Sequence, residues 1–321
     1  MWKDEYWNLI FPKNKEVFNF AKALLLKSNY MPKLYKYSKV NESTINNIIN
    51  NNVWCRRADL FNDPFDSSVT KNISVHHDKI KEIIIRDFCK SFKLEYNQVL
   101  EMVKLLSLES TKMALLNTLK VSGVDFSQSQ IDSFNESVQG LLDGTIDIFE
   151  DYLLRTNEIY QKRVYATCFS ENPLSTSMWS HYANDYKGIC LEYDFSNLAI
   201  TNDIFKNIHP VRYTDNPVDL TQYDGKEHVR KTLLAALNKS NDWRYEEEWR
   251  IVLDNIGSKD EGTCYQVVQP ISIIMGSSIS EEDKEKILEI SSTKNILVKQ
   301  IRKDRIKNKL SIMNFNQFAI E

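Results

Sequence analysis

Glu246, Glu248 and Arg250 alternate along the segment Trp243-Arg244-Tyr245-Glu246-Glu247-Glu248-Trp249-Arg250. On a β-strand, residues two apart share a face, so this spacing predicts two carboxylates and a guanidinium side by side. In such a pair one carboxylate can stabilise a cationic sugar while the other orients a nucleophile or a ribose hydroxyl. Glu248 and Glu246 are therefore candidate catalytic residues, and Arg250 a candidate ligand contact. An edge strand bearing salt bridges has the same pattern.

Two further blocks set polar side chains among aromatics. In Trp179-Ser180-His181-Tyr182 the imidazole has aromatic neighbours on both sides. A neutral His181 there can donate to a phosphate or act as a base near neutral pH. Ser180 adjoins it, but a Ser–His relay is a spatial arrangement that adjacency does not provide, and no G-x-S-x-G elbow is present. The block Phe61-Asn62-Asp63-Pro64-Phe65-Asp66 combines a turn-forming Asn-Asp-Pro with Asp63 and Asp66 as site acids. Arg57, just upstream, suits bidentate phosphate binding or an ion pair with Asp59 or Asp63. Burying such groups is costly unless they are paired or used. The blocks thus predict one polar site drawn from distant segments, with Asp63 or Asp66, His181 and Glu248 in one pocket.

Those segments need positioning elements. Residues 1–30 read as an N-terminal helical extension, with Val17, Phe20, Ala21, Leu24 and Leu25 at helical spacing. Lys33–Tyr37 and Val53–Arg57 read as strands around a helix that Asn41-Glu42-Ser43 caps and Asn50-Asn51-Asn52 closes. From His77 to about Lys162 the pattern is helical, including a helix and a Gly123 turn within 107–126. This is a helical insert, 77–162, between the two parts of an α+β core, 31–76 and 163–321. Strands are expected at 163–170, 188–193, 211–213, 248–253, 271–275, 296–301 and 310–313. Helices are expected at 226–238 and from the Ser280 cap to Ile290. Without regular βαβ alternation, the fold class is α+β with a mixed sheet core.

Composition narrows the classes. The chain has 321 residues, 26% charged and 42% hydrophobic, with a formal net charge of −3. That balance gives no electrostatic case for wrapping nucleic acid, apart from a local basic run around Lys299–Lys309. Five widely spaced cysteines without a CxxC pair indicate neither a zinc ribbon nor a disulfide framework. No signal-peptide or membrane-spanning run is visible, so the expectation is a cytoplasmic protein with no membrane partner.

Five ordered stretches carry a resemblance: Leu34-Tyr35-Lys36-Tyr37, Phe61–Asp66, Cys168-Phe169-Ser170, the run from Met178 to Gly188, and Glu246-x-Glu248-Trp249-Arg250. Together they resemble the bacterial domain-of-unknown-function family 2971. The E-x-E arrangement is in turn similar to the third motif of ADP-ribosyltransferases. That likeness implies an ADP-ribosyltransferase-like sheet, a catalytic role for Glu248, and acceptor activation by Glu246. It also implies that Lys36, standing where those enzymes carry His or Arg, holds the ribose or phosphate of NAD beside Tyr37. Asn62, Trp179, Ser180 and Tyr182 would complete the ligand contacts. The implied function is an NAD-using transferase or glycohydrolase, with NAD as substrate and no metal, suited to a bacterial toxin or phage-defence effector. Its partners would be a nucleotide-like small molecule and a macromolecular acceptor, or a protein docked on the helical insert. Two alternatives stay open. One is a metal-dependent nuclease using Asp63, Asp66, Glu246 and Glu248 as oxygen ligands. The other is a non-enzymatic module that senses a nucleotide or binds a partner.

Overall fold

A computed structural model describes residues 2–12, 18–70, 74–107, 110–111, 113–115, 117, 127–216, 218–223, 228–254 and 260–315. The chain opens with helices α1 (Trp2–Ile10) and α2 (Phe20–Ser28). Asn19 caps α2 by accepting the Lys22 amide. Strand β1 (Leu34–Ser38) leads into α3 (Glu42–Asn50), where Asn41 accepts the Thr44 amide. Asn51 ends that helix in the left-handed conformation, at φ 54°, which Asn tolerates better than most residues. Strand β2 (Asn52–Arg57) and the short β3 (Val69–Thr70) follow.

Helices α4 (Ser74–Phe92), α5 (Tyr96–Val103) and α6 (Gln128–Arg163) come next. Most of the helix and turn expected over 107–126, Gly123 included, lies outside the described residues. The chain continues with β4 (Val164–Ser170), α7 (Thr176–His181), β5 (Ile189–Tyr193), α8 (Asp203–Asn207), β6 (Ile208–Pro210), β7 (Arg212–Tyr213) and β8 (Val218–Asp219). It finishes through α9 (His228–Ala236), β9 (Asn238–Lys239), β10 (Glu248–Asp254), β11 (Gly262–Gln266), β12 (Ser272–Met275), α10 (Glu281–Lys294), β13 (Leu297–Asp304) and β14 (Lys309–Asn314).

Several elements depart from the pattern reading. β11 carries no apolar alternation, because it is an edge strand held by the β2 ladder. The strand expected at 211–213 is shortened to β7, and an unexpected strand, β6, precedes it across Val211. Glu246 belongs not to a strand but to a 3-10 turn, Asn241–Glu246, and Glu247 then takes φ 45° before β10 begins. The expected alternation is therefore interrupted between the two acids.

The main sheet runs β11-β2-β4-β1-β5-β12-β13-β14, with β10 on β4 and β6 on β10. Its ladders are antiparallel except β12–β13, so the sheet is mixed and the fold is a mixture of sheet and helices consistent with α+β. β4 makes it unusual. One edge of β4 pairs with β10 along its full length, from Val164 to Ser170. The other edge is shared: β2 pairs at Tyr165 and Ala166, and β1 at Ser170. Between those contacts the sheet forks.

Two compact units are resolved by contacts. The first comprises Met1–Val69, Asn157–Val218 and Gln222–Glu321; the second comprises Thr70–Thr156 and Asp219–Thr221. The first has a core on one sheet face around Phe169, Tyr193, Trp249 and Ile273. The second has its own core, in which Phe88, Phe92 and Phe134 pack edge-on around Ile84 and Val138. Among the described residues no helix is long and apolar enough to cross a membrane.

Candidate functional site

The fork opens into a cavity of about 520 Å³ within the first unit. Such a volume falls in the range of small-molecule sites. β1, β2 and β4 supply its walls through Tyr35, Tyr37, Trp54 and Phe169. Helix α7 contributes Met178 and His181, followed by Tyr182. The turn before β10 supplies Trp243 and Tyr245.

A buried charge cluster forms the floor. Arg250 is fully enclosed, and all five of its N–H groups are used. Nη1 and Nη2 grip Asp66 at 2.7 and 2.6 Å. Nε and Nη2 grip Glu248 at 2.8 and 3.0 Å, and Nη1 also reaches the Ala236 carbonyl at 2.7 Å. Lys239 lies between the two glutamates, donating to Glu246 at 2.6 Å and Glu248 at 3.1 Å. The Tyr182 hydroxyl donates to the other Glu246 oxygen at 2.7 Å, and Asn62 donates to that hydroxyl at 3.3 Å. Tyr213 accepts the Glu248 amide at 2.8 Å, fixing the start of β10.

This geometry pushes the two carboxyls apart electrostatically. Burial raises Glu246, and the neighbouring Glu248 raises it further, with Lys239 and Tyr182 only partly offsetting them. Burial also acts upward on Glu248, but Arg250 and then Lys239 outweigh it and hold the group at about 2. The difference follows from the partner count: Glu248 faces two cations, Glu246 one. Lys239 is itself lifted above its ordinary range, because Glu248 and Glu246 outweigh its burial. Burial, then Glu246, pushes the Tyr182 hydroxyl well up.

The sequence-derived residues divide into two groups. Lys36, Tyr37, Asn62, Asp66, His181, Tyr182, Glu246, Glu248 and Arg250 all line the cavity. Arg57, Asp63, Trp179 and Ser180 do not. Arg57 pairs with Asp59 at 2.6 Å and reaches the Asp260 carbonyl. Asp63 turns back to accept the Phe65 amide, as Asp does in such turns. Trp179 is buried with its indole N–H on the Pro173 carbonyl, and Ser180 donates to Asp185. These four act in the local structure. Arg250 needs a correction of role: its donors are spent on Asp66, Glu248 and Ala236, leaving none for a ligand.

Sequence reasoning missed Lys239, which sits in no motif. Charge balance was the available signal: three acids buried beside one arginine call for a second cation. Among the described residues no group of three His, Cys, Asp or Glu side chains is arranged to hold a metal ion. Asp66, Glu246 and Glu248 are instead bonded to Arg250 or Lys239.

Residues 178–251 match a family described as a protein of unknown function (DUF2971). The chain is similar to that family over the stretch from α7 to the first half of β10. No curated protein and no solved structure matches the chain.

Proposed function

We propose that the cavity binds a nucleotide such as NAD and that the glutamate pair cleaves its nicotinamide–ribose bond, in the manner of ADP-ribosyltransferases or NAD glycohydrolases. One observation carries this reading: two carboxyls two residues apart, facing one cavity, are driven in opposite directions, Glu246 up and Glu248 down to about 2. Separated pairs of this kind are how enzymes divide base and electrostatic roles between like groups. Glu248, permanently ionised, faces the positive charge that develops at C1′ as the C1′–N bond breaks and its electrons leave with nicotinamide. Glu246 accepts the proton of the water or acceptor hydroxyl that bonds to C1′. Tyr35, Trp54 and Trp243 offer ring faces for the bases, and Arg56 and His181 offer donors to phosphate. A toxin or phage-defence role would suit such an activity.

The test is nicotinamide release from NAD by the wild type and by Glu248→Gln and Glu246→Gln, each with and without EDTA. Glu248→Gln should lower kcat by about a hundredfold, the usual scale for one electrostatic contact to a transition state, while NAD affinity changes little. Loss of NAD cleavage in neither variant, or no cleavage by the wild type, overturns the catalytic reading. A second reading is favoured by the closed hydrogen bonding of Glu248, both of whose oxygens are taken by Arg250 and Lys239. On that reading the cavity senses a nucleotide without turning it over, and titration calorimetry would find NAD binding with no products.

A further inference from the structure

β1 and β4 are paired at Tyr35 and Ser170, and below that contact Lys36 spans the fork. Its Nζ donates to Thr167 Oγ1 at 2.7 Å and to the Cys168 carbonyl at 3.3 Å, and lies 5.5 Å from the centre of the Phe169 ring. These partners are uncharged. The other enclosed lysines are committed differently. Lys239 is clamped by two glutamates, while Lys27 and Lys81 each lodge between two main-chain carbonyls. Lys36 lines the cavity and keeps partial exposure through it. Enclosure by the surrounding protein pushes its amine below the usual lysine range. A lysine hydrogen-bonded to no carboxylate, facing a cavity, is the environment in which an amine becomes a nucleophile.

We infer that Lys36 forms an imine with an aldose, the open-chain aldehyde of a ribosyl group being the substrate that suits the site. The choice of a ribosyl group rests on the function proposed above; the reactivity of the amine does not. The Nζ lone pair attacks the aldehyde carbon, a C–N bond forms, and the carbonyl π electrons move to oxygen. The resulting carbinolamine loses that oxygen as water, which takes the two protons formerly on Nζ, and the C=N bond forms. No atom changes oxidation state, and addition of water reverses the step.

The test treats the full chain with ribose 5-phosphate or glyceraldehyde and traps any imine with cyanoborohydride. Peptide mass spectrometry then compares Lys36 with the exposed Lys39 three residues on. Lys36 should be labelled on the order of tenfold faster at pH 7, and its rate should level off at a lower pH than that of Lys39. Lys36→Arg, which keeps the charge, should lose the adduct while Lys39 labelling is unchanged. Labelling of Lys36 no faster than of Lys39, or an adduct spread over exposed lysines, overturns the inference. Trapping at Lys36 without NAD cleavage upholds it and removes the function proposed above. NAD cleavage with Lys36 unlabelled does the reverse.

Discussion

Arg250 shows how much one residue can organise. Its guanidinium compensates two buried carboxylates that lie 184 and 2 positions away in sequence. Arg250→Met should therefore destabilise the first unit by about 3–5 kcal/mol, the cost of leaving buried acids without their partner. Arg250→Lys should recover only part of that, since a single ammonium cannot reproduce two forks. Urea denaturation of both variants measures the difference. The pair Glu246 and Glu248 has a pH signature. Activity that needs Glu246 as a base should fall as pH drops through its raised pKa, a point above the ordinary glutamate range. Glu248, held at about 2, should contribute no inflection above pH 3. A kcat/KM profile in which Glu246→Gln removes the acid limb would establish the assignment. Much of this site was legible from residue types: the acids, the histidine and the aromatic frames were all visible in three short blocks. Lys239 and the Asp66–Arg250 bond were not, because pairing across the fold leaves no local periodicity to read.

At the scale of elements, caps and strands were read with more success than connections. Asn41 and Ser280 cap helices as their side chains dictate. β11 was missed because an edge strand need not alternate, and the fork in β4 because register is set by partners rather than by the strand itself. Two glycines shape the turn that follows α7. A Cβ on Gly276 would stand 2.0 Å from the Tyr186 carbonyl oxygen, and one on Gly188 would stand 2.3 Å from that of Ser38. Gly276→Ala should cost about 1–3 kcal/mol, the usual range for overpacking, and more if the backbone cannot shift; thermal denaturation tests it. Lys27 ties α2 to the end of α8, donating to the Phe205 and Ile208 carbonyls at 2.5 and 2.6 Å. Burial lowers its amine to about 7, below its unfolded value. Between pH 7 and the unfolded pKa the folded state binds fewer protons, so stability should rise with pH across that window. Lys27→Met should flatten this slope, as urea midpoints at pH 7, 8 and 9 would show.

At the scale of the molecule, the cavity and every residue proposed to act in it belong to the first unit, while the second has a separate aromatic core. Phe88→Ala should lower the stability of the second unit by about 3–5 kcal/mol and leave the nucleotide binding proposed for the first unit unchanged. Calorimetric unfolding together with a binding titration checks both halves of that expectation. The fork has one more consequence. A strand edge without a neighbour ordinarily invites pairing by another chain, which is why exposed edges are hazards for aggregation. Here the unpaired stretch of β4 lies between its contacts with β2 and β1, only Thr167 to Phe169 in length. Another protein's strand cannot propagate a ladder along so short a gap. The Lys36 ammonium occupies part of that gap by donating to the Cys168 carbonyl, so a side chain rather than a neighbouring strand answers the main chain there.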